Sequence, residues 1–230
     1  MSFMSNHEET REIDFQALQE NILGWWRQQE FSFPWRDDAL PEWQRLVTEV
    51  LLQRTRATAV AEIYDAFFER YPTASDMGAA TSHEMRDSIY SLGLLWRAEY
   101  LVRLGATLEA LQSAVPSSIE ELSSLPAVGP YVSSAFLVLH RDEEHFFVDA
   151  NIVRLLARYV GFECDGETRR KKWFISLTKA FFHHQYSPRE FGYAVLDFSR
   201  EICGRVPQCE VCPARDGCQY GSERDAADLP

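Results

Sequence analysis

The chain has 230 residues, 46% of them hydrophobic and 13% aromatic, enough to bury one sizeable core or two small ones. No apolar run approaches the ~20 residues of a membrane span. The acidic start (Glu8, Glu9, Glu12, Asp14, Glu20) lacks the features of a signal peptide, so a cytoplasmic chain with reduced thiols is expected. A net charge of −12, with only three lysines beside twenty arginines, argues against binding nucleic acid unless a local basic face carries it.

Apolar spacing predicts a first helix from about Phe15 to Gln29, followed by FPWR (Phe33 to Arg36), a string that by itself implies packing only. A second helix is expected over about Trp43 to Ala57, with Leu46, Val47, Val50 and Leu51 as its buried stripe. Glu49 lies inside that stripe. Most helical glutamates are solvated, but its apolar flanks point to partial burial. A helix from Ala59 to Arg70 and a loop with Pro72 follow, then two helices around Gly93. No alternating strand pattern occurs anywhere, so the predicted class is all-α.

The stretch from Leu125 to Tyr159 organises the rest. SSIEELSSL reads as a short helix with Ser117 and Glu120 spaced as a capping box, and YVSSAFLVLH as a second helix. Between them is a tight turn, with Pro126 and Pro130 fixing the chain around Val128 and Gly129 free to take positive φ. The N-terminus of the second helix is a ready anion site, although an ordinary helical corner has the same look. Asp149 stands between the apolar run HFFV and a strongly amphipathic helix. It is either a helix N-cap, the commoner case, or an ionised group at a pocket's edge.

Past Gly161, RRKK (Arg169 to Lys172) is the single basic cluster, read as a solvated helix start that can also touch phosphates. The chain then carries Cys203-x5-Cys209-x2-Cys212-x5-Cys218. In a reduced compartment four such thiols suit zinc or a [4Fe–4S] cluster rather than disulfides. Cys164 stands apart and is read as a structural thiol.

LPAVGPY followed by VDANIVRLL resembles the helix-hairpin-helix DNA glycosylase superfamily, with Ala127 where that family has glycine. TEVLLQRT, GLLWRA and the cysteine string extend the resemblance over most of the chain. GLLWRA is one residue shorter than the family's G-L-x-x-x-R-A, and the first cysteine gap is one shorter than in endonuclease III-type members. The resemblance implies a two-part helical fold. Residues 41–156 would form a six-helix barrel with the hairpin at about 117–140, while residues 1–40 would pack with 157–230, which carry the cluster loop. It implies a [4Fe–4S] cluster on Cys203, Cys209, Cys212 and Cys218 in preference to zinc, and a monomer acting on double-stranded DNA with a mismatched or damaged base. Glu49 would act on the departing base or the attacking water. Asp149 would stabilise positive charge on the sugar, with Asn151 orienting it or a sugar phosphate. Gln53, Arg54, Val128 and Gly129 would contact DNA, Arg54 by entering the base stack.

Tyr131 stands where strand-nicking members carry lysine, and a phenol cannot form a Schiff base, so the implied enzyme removes a base without cutting the strand. VDANIVR, LLQRT and LDFSREIC look like the thymine/uracil type, so thymine or uracil opposite guanine ranks first. Adenine glycosylases rank second: they normally append a further domain, whereas this chain stops about a dozen residues after Cys218. A non-catalytic DNA-binding module of the same fold is the third reading, favoured by the acidic charge.

Overall fold

The computed structural model describes residues 13–227, and among them every regular element is a helix. Helix α1 (Gln16–Trp26) is followed by a 3-10 turn at Pro34–Arg36, then by α2 (Glu42–Leu52) and α3 (Ala57–Arg70). The short helices α4 (Ala74–Ala79) and α5 (Ser82–Ser88) lead to α6 (Arg97–Ala110). Helices α7 (Ile119–Ser124) and α8 (Pro130–Arg141) flank the hairpin turn, and α9 (Ala150–Val160), α10 (Lys172–Phe181), α11 (Pro188–Glu201) and α12 (Gln219–Ala227) follow.

Two apolar cores lie on either side of α8. One gathers α2 to α7 around Leu46, Val50, Phe67, Leu101 and Leu122, and takes Val132, Phe136 and Leu137 from α8. The other gathers α1, α9, α10 and α11 around Ile22, Leu156, Phe174 and Phe191, and takes Ala135, Val138 and Leu139 from the opposite face of α8. A helix buried on both faces must be apolar nearly all round, which is why the AFLVL segment shows no polar stripe. Helix α11 approaches so closely at Gly192 that a Cβ there would fall within 2.9 Å of Val138 and Leu139. Helix α1 packs on α11, and its Gln19 amide donates to the Phe181 carbonyl at 2.9 Å.

Several local expectations shift. Helix α2 stops at Leu52, five residues before Ala57, because Arg54 adopts a left-handed backbone (φ 56) that no helix can continue through. Helix α7 is capped one residue later than expected: the Ser118 hydroxyl accepts from the Glu121 amide at 3.2 Å, using the same spacing of serine and glutamate. Helix α4 falls where a loop was expected, closed by a capping box between Thr73 and Asp76. The positive φ of the hairpin turn belongs to Ala127 (φ 62). Gly129 is the extended N-cap of α8 (φ −91, ψ −180), with Pro130 at the first helical position.

Candidate active site

The hairpin fixes one wall of the site. The Val128 amide donates to the Leu125 carbonyl at 3.1 Å, closing the turn, while the Val128 side chain is buried. A Cβ built on Gly129 meets nothing within 4 Å, so the backbone there faces open space. Facing the hairpin is the end of α2. Arg97, at the start of α6 and 1% exposed, donates from Nη1 to the carbonyls of Val50 (3.1 Å), Leu51 (2.8 Å) and Gln53 (3.2 Å). These include the orphan carbonyls that a helix C-terminus leaves, and a buried cation on them suits the negative end of the helix dipole. Burial holds the Arg97 guanidinium below its usual pKa.

Helix α9 begins at Asp149. One carboxylate oxygen accepts from the Asn151 and Ile152 amides at 2.9 and 2.8 Å, and the other accepts from the Asn151 side chain at 2.7 Å. Asp149 is therefore an N-cap, the commoner of the two sequence alternatives, and it lines a pocket as well. Burial raises its pKa, and the three hydrogen bonds act against that rise. Arg154, one turn on, donates to Asn151 Oδ1 at 3.1 Å and to the Cys203 carbonyl at 2.9 Å.

Glu49 is buried, and its Oε1 lies 2.8 Å from His140 Nε2 on α8. Tyr131, in the first turn of α8, packs edge-on to Phe147 with ring centroids 6.0 Å apart. Its phenol is pushed well above the ordinary tyrosine pKa, first by burial and then by the Asp149 and Glu49 carboxylates. The two carboxylates thus act on one hydroxyl between α2 and α9.

A cleft of about 1090 Å³ joins these walls. Glu49, Gln53, Arg54, Val128, Gly129, Tyr131, Asp149 and Asn151 all line it. Six arginines line it too (Arg36, Arg54, Arg56, Arg169, Arg200 and Arg205) against three acids, Glu49, Asp149 and Asp197. Asp197 is already neutralised: Arg36 holds both its oxygens at 2.9 Å, and Trp26 Nε1 donates to it at 2.8 Å. The cleft is therefore basic on an acidic chain, because the excess carboxylates lie elsewhere. Of the RRKK cluster, Arg169 reaches the cleft, while Arg170 and Lys171 pair with Glu167 and Asp165.

The four clustered cysteines are free thiols beside α9. Cys203 is buried, and Arg158 Nη1 donates to its sulfur at 3.5 Å. Cys212 is pushed up to about 11, mainly by burial, with Cys203, Cys218 and Cys209 each adding to the rise. Four soft donors, three of which act on the Cys212 thiol, suit a four-thiolate cofactor in number and kind. Among the described residues, however, no three His, Cys, Asp or Glu side chains stand close enough to hold a metal ion as they are. Cys164 is exposed and separate.

His140, Arg154 and the Arg36–Asp197 pair escaped the sequence reading. The only trace of His140 was a lone histidine closing an apolar helical run. No helix among the described residues is long and apolar enough to cross a membrane.

Residues 47–174 match the family model of the HhH-GPD superfamily base excision DNA repair proteins. The chain is 33% identical over 212 residues to a thymine-DNA glycosylase of Aeropyrum pernix, covering 89% of this chain and 94% of that one. It is 29% identical over 202 residues to an adenine DNA glycosylase of Mycobacterium tuberculosis, covering 87% of this chain but 66% of that longer relative. Among solved structures, a thermostable thymine-DNA glycosylase superposes with a TM-score of 0.79 at 31% identity, covering 90% of this chain and 96% of its own. An endonuclease III–DNA complex shares the fold at a TM-score of 0.77 and 20% identity, over 92% of this chain and 97% of the other. With a family match over more than half its length and these relatives over nearly all of it, the chain belongs to the HhH-GPD superfamily of base excision DNA repair proteins.

Proposed function

We propose that this chain is a monofunctional DNA glycosylase that hydrolyses the N-glycosidic bond of thymine or uracil paired with guanine. The observation that carries this reading is a single basic cleft lined by Glu49, Tyr131 and Asp149, in a chain one-third identical to a thymine-DNA glycosylase. In this reading α2 to α8 form the barrel, α1 packs with the helices that follow α8, and a monomer takes DNA across the cleft. The target nucleotide turns out of the stack into it. Arg54, held beyond α2 by the grip of Arg97 on that helix end, fills the vacated space. The cleft arginines supply the phosphate contacts that the overall charge denies.

Cleavage gives the electron pair of the C1′–N bond to the base and leaves positive charge on the sugar. The Asp149 carboxylate, fixed by three hydrogen bonds at a helix N-terminus, faces that charge, and such preorganised electrostatics is usually the largest contribution to rate. Glu49 accepts a proton from the water whose oxygen bonds to C1′. Thymine and uracil spread the charge of departure over the ring, so hydrogen bonds suffice for the base. Adenine leaves only when protonated. The product is an abasic site. Tyr131 offers no amine for a Schiff base, and no lysine lines the cleft, which supports hydrolysis without strand cleavage.

Cys203, Cys209, Cys212 and Cys218 would hold a [4Fe–4S] cluster. When bound, it would take up the thiolate charge and staple the loop against α9. Arg154 and Arg158 donate to the Cys203 carbonyl and tie the same loop to the helix that Asp149 caps.

The second reading, adenine opposite guanine or oxidised guanine, rests on the similarity to the mycobacterial adenine glycosylase. One panel separates the two. G·T, G·U, A·G and A·oxidised-G duplexes are incubated with the protein and then treated with alkali to reveal abasic sites. Cleavage at thymine or uracil is expected. Cleavage confined to adenine reverses the ranking, and none on any duplex leaves a binding module of the same fold.

A further inference from the structure

The Glu49–His140 pair is a buried polar contact at the site that the chemistry above leaves unused. Glu49 lies in the middle of α2 and His140 in the last turn of α8, 91 residues apart in sequence. Their side chains are 3% and 1% exposed, and Oε1 and Nε2 are 2.8 Å apart. A buried carboxylate with no donor is costly, so this contact is the one that lets Glu49 sit where it does. It also engages one of the two carboxylate oxygens from the protein side, while the residue lines the cleft.

The ring is firmly located. Phe136 lies at 5.5 Å on the same helix and Tyr193 at 6.4 Å, edge-on, from α11. The backbone carbonyl of His140 accepts from Arg45 of α2 at 3.2 Å and from Arg189 of α11 at 2.9 Å. Those two arginines in turn share Asp38. Glu42 of α2 is held by the neighbouring Arg141, with its pKa lowered by that bond. The charged and titratable groups around the imidazole are therefore Glu49, Glu42 and Arg45 from α2, Tyr193 and Arg189 from α11, and Arg141 on its own helix.

We propose that His140 is a positioning residue for Glu49: its Nε2–H holds the Glu49 carboxylate in one orientation, so that the other oxygen faces the attacking water. The inference rests on the glycosylase reading given above. The orientation of the base is therefore a property of two residues rather than one.

His140→Gln keeps an N–H donor at similar reach, and His140→Leu removes it while keeping an apolar fill. Single-turnover excision is measured beside affinity for a non-cleavable duplex and the melting temperature. The leucine variant is expected to lose about 100-fold in rate with DNA affinity unchanged. The glutamine variant, which keeps a donor, is expected to stay within about tenfold of the wild type. A wild-type rate in the leucine variant overturns the proposal. So does equal slowing of both variants, which would mark a purely structural contact.

A substrate-free measurement keeps the two readings apart. Nitrogen-15 signals of the His140 ring, identified by their loss in His140→Gln, are followed in the wild type and in Glu49→Gln. A ring whose tautomer or hydrogen bonding responds to Glu49→Gln supports the pair, and an indifferent ring overturns it whichever base is excised. A wild-type chain that removes no base sinks the functional reading and the positioning role with it, while the ring signals still decide whether the pair exists.

Discussion

Gln53 donates from Nε2 to the carbonyl of Ala127 at 3.0 Å, tying the residue after α2 to the turn of the hairpin. Both ends of this bond adjoin left-handed backbone, at Arg54 (φ 56) and at Ala127 itself (φ 62). Gln53→Ala removes the donor from a part-buried carbonyl, at a cost of about 1–2 kcal/mol in stability. It also frees the segment that aims Arg54, so single-turnover excision is expected to fall about tenfold. Urea unfolding and excision by Gln53→Ala that both match the wild type would make the bond incidental.

Ala127 pays for a conformation that glycine adopts freely. Ala127→Gly should stabilise the protein by about 0.5–1 kcal/mol, the relief of left-handed strain less the added freedom of the unfolded chain. Equilibrium denaturation reads the change directly. A less stable glycine variant would mean that the Ala127 methyl, packed against the first core, outweighs the strain.

Asp149→Asn should slow base removal by at least about 100-fold, or roughly 3 kcal/mol, because it removes the charge facing the sugar cation. Asparagine caps about as well as aspartate, so the fold should survive. Burial raises the pKa of Asp149 in the folded state, so ionisation favours the unfolded chain. This penalty is absent at low pH, where both states are protonated, and grows as pH rises above the unfolded carboxylate value of about 3.9. The melting temperature of the variant relative to the wild type should therefore improve between about pH 3 and 7. A difference that stays flat or moves the other way contradicts the raised pKa.

Tyr131→Lys puts an amine between Asp149 and Glu49, the two carboxylates that act on the phenol now. Borohydride should then trap a covalent protein–DNA adduct, with some strand cleavage, where the wild type traps none. Trapping by the unmodified protein would end the monofunctional assignment.

Purified protein should be brown and contain about four irons per chain. Cys212→Ser should bleach it and lower the melting temperature, since that thiol feels the other three. A colourless protein with one zinc per chain would replace the cluster by a structural metal.

Much of this protein was legible along the chain because the devices concerned are local. The tight turn before α8, the amphipathic face of α9 and the capping role of Asp149 each depend on residues within about one helical turn, where backbone sterics and side-chain reach decide the outcome. Even there neighbouring choices were nearly degenerate. Ser118 rather than Ser117 caps α7, and Ala127 rather than Gly129 takes the left-handed turn, because the packing of α7 on α8 selects between alternatives of similar local cost. Tertiary structure alone decided the rest. His140 reaches Glu49 across 91 residues, and Arg97 reaches the end of α2 across 44 to 47. Arg36 and Asp197 pair across 161 residues, and the cleft is basic although the chain carries a net charge of −12. Composition sums charge over the chain. A ligand feels only the charges that folding has brought within a Debye length of it, and that selection is made by which helices pack together.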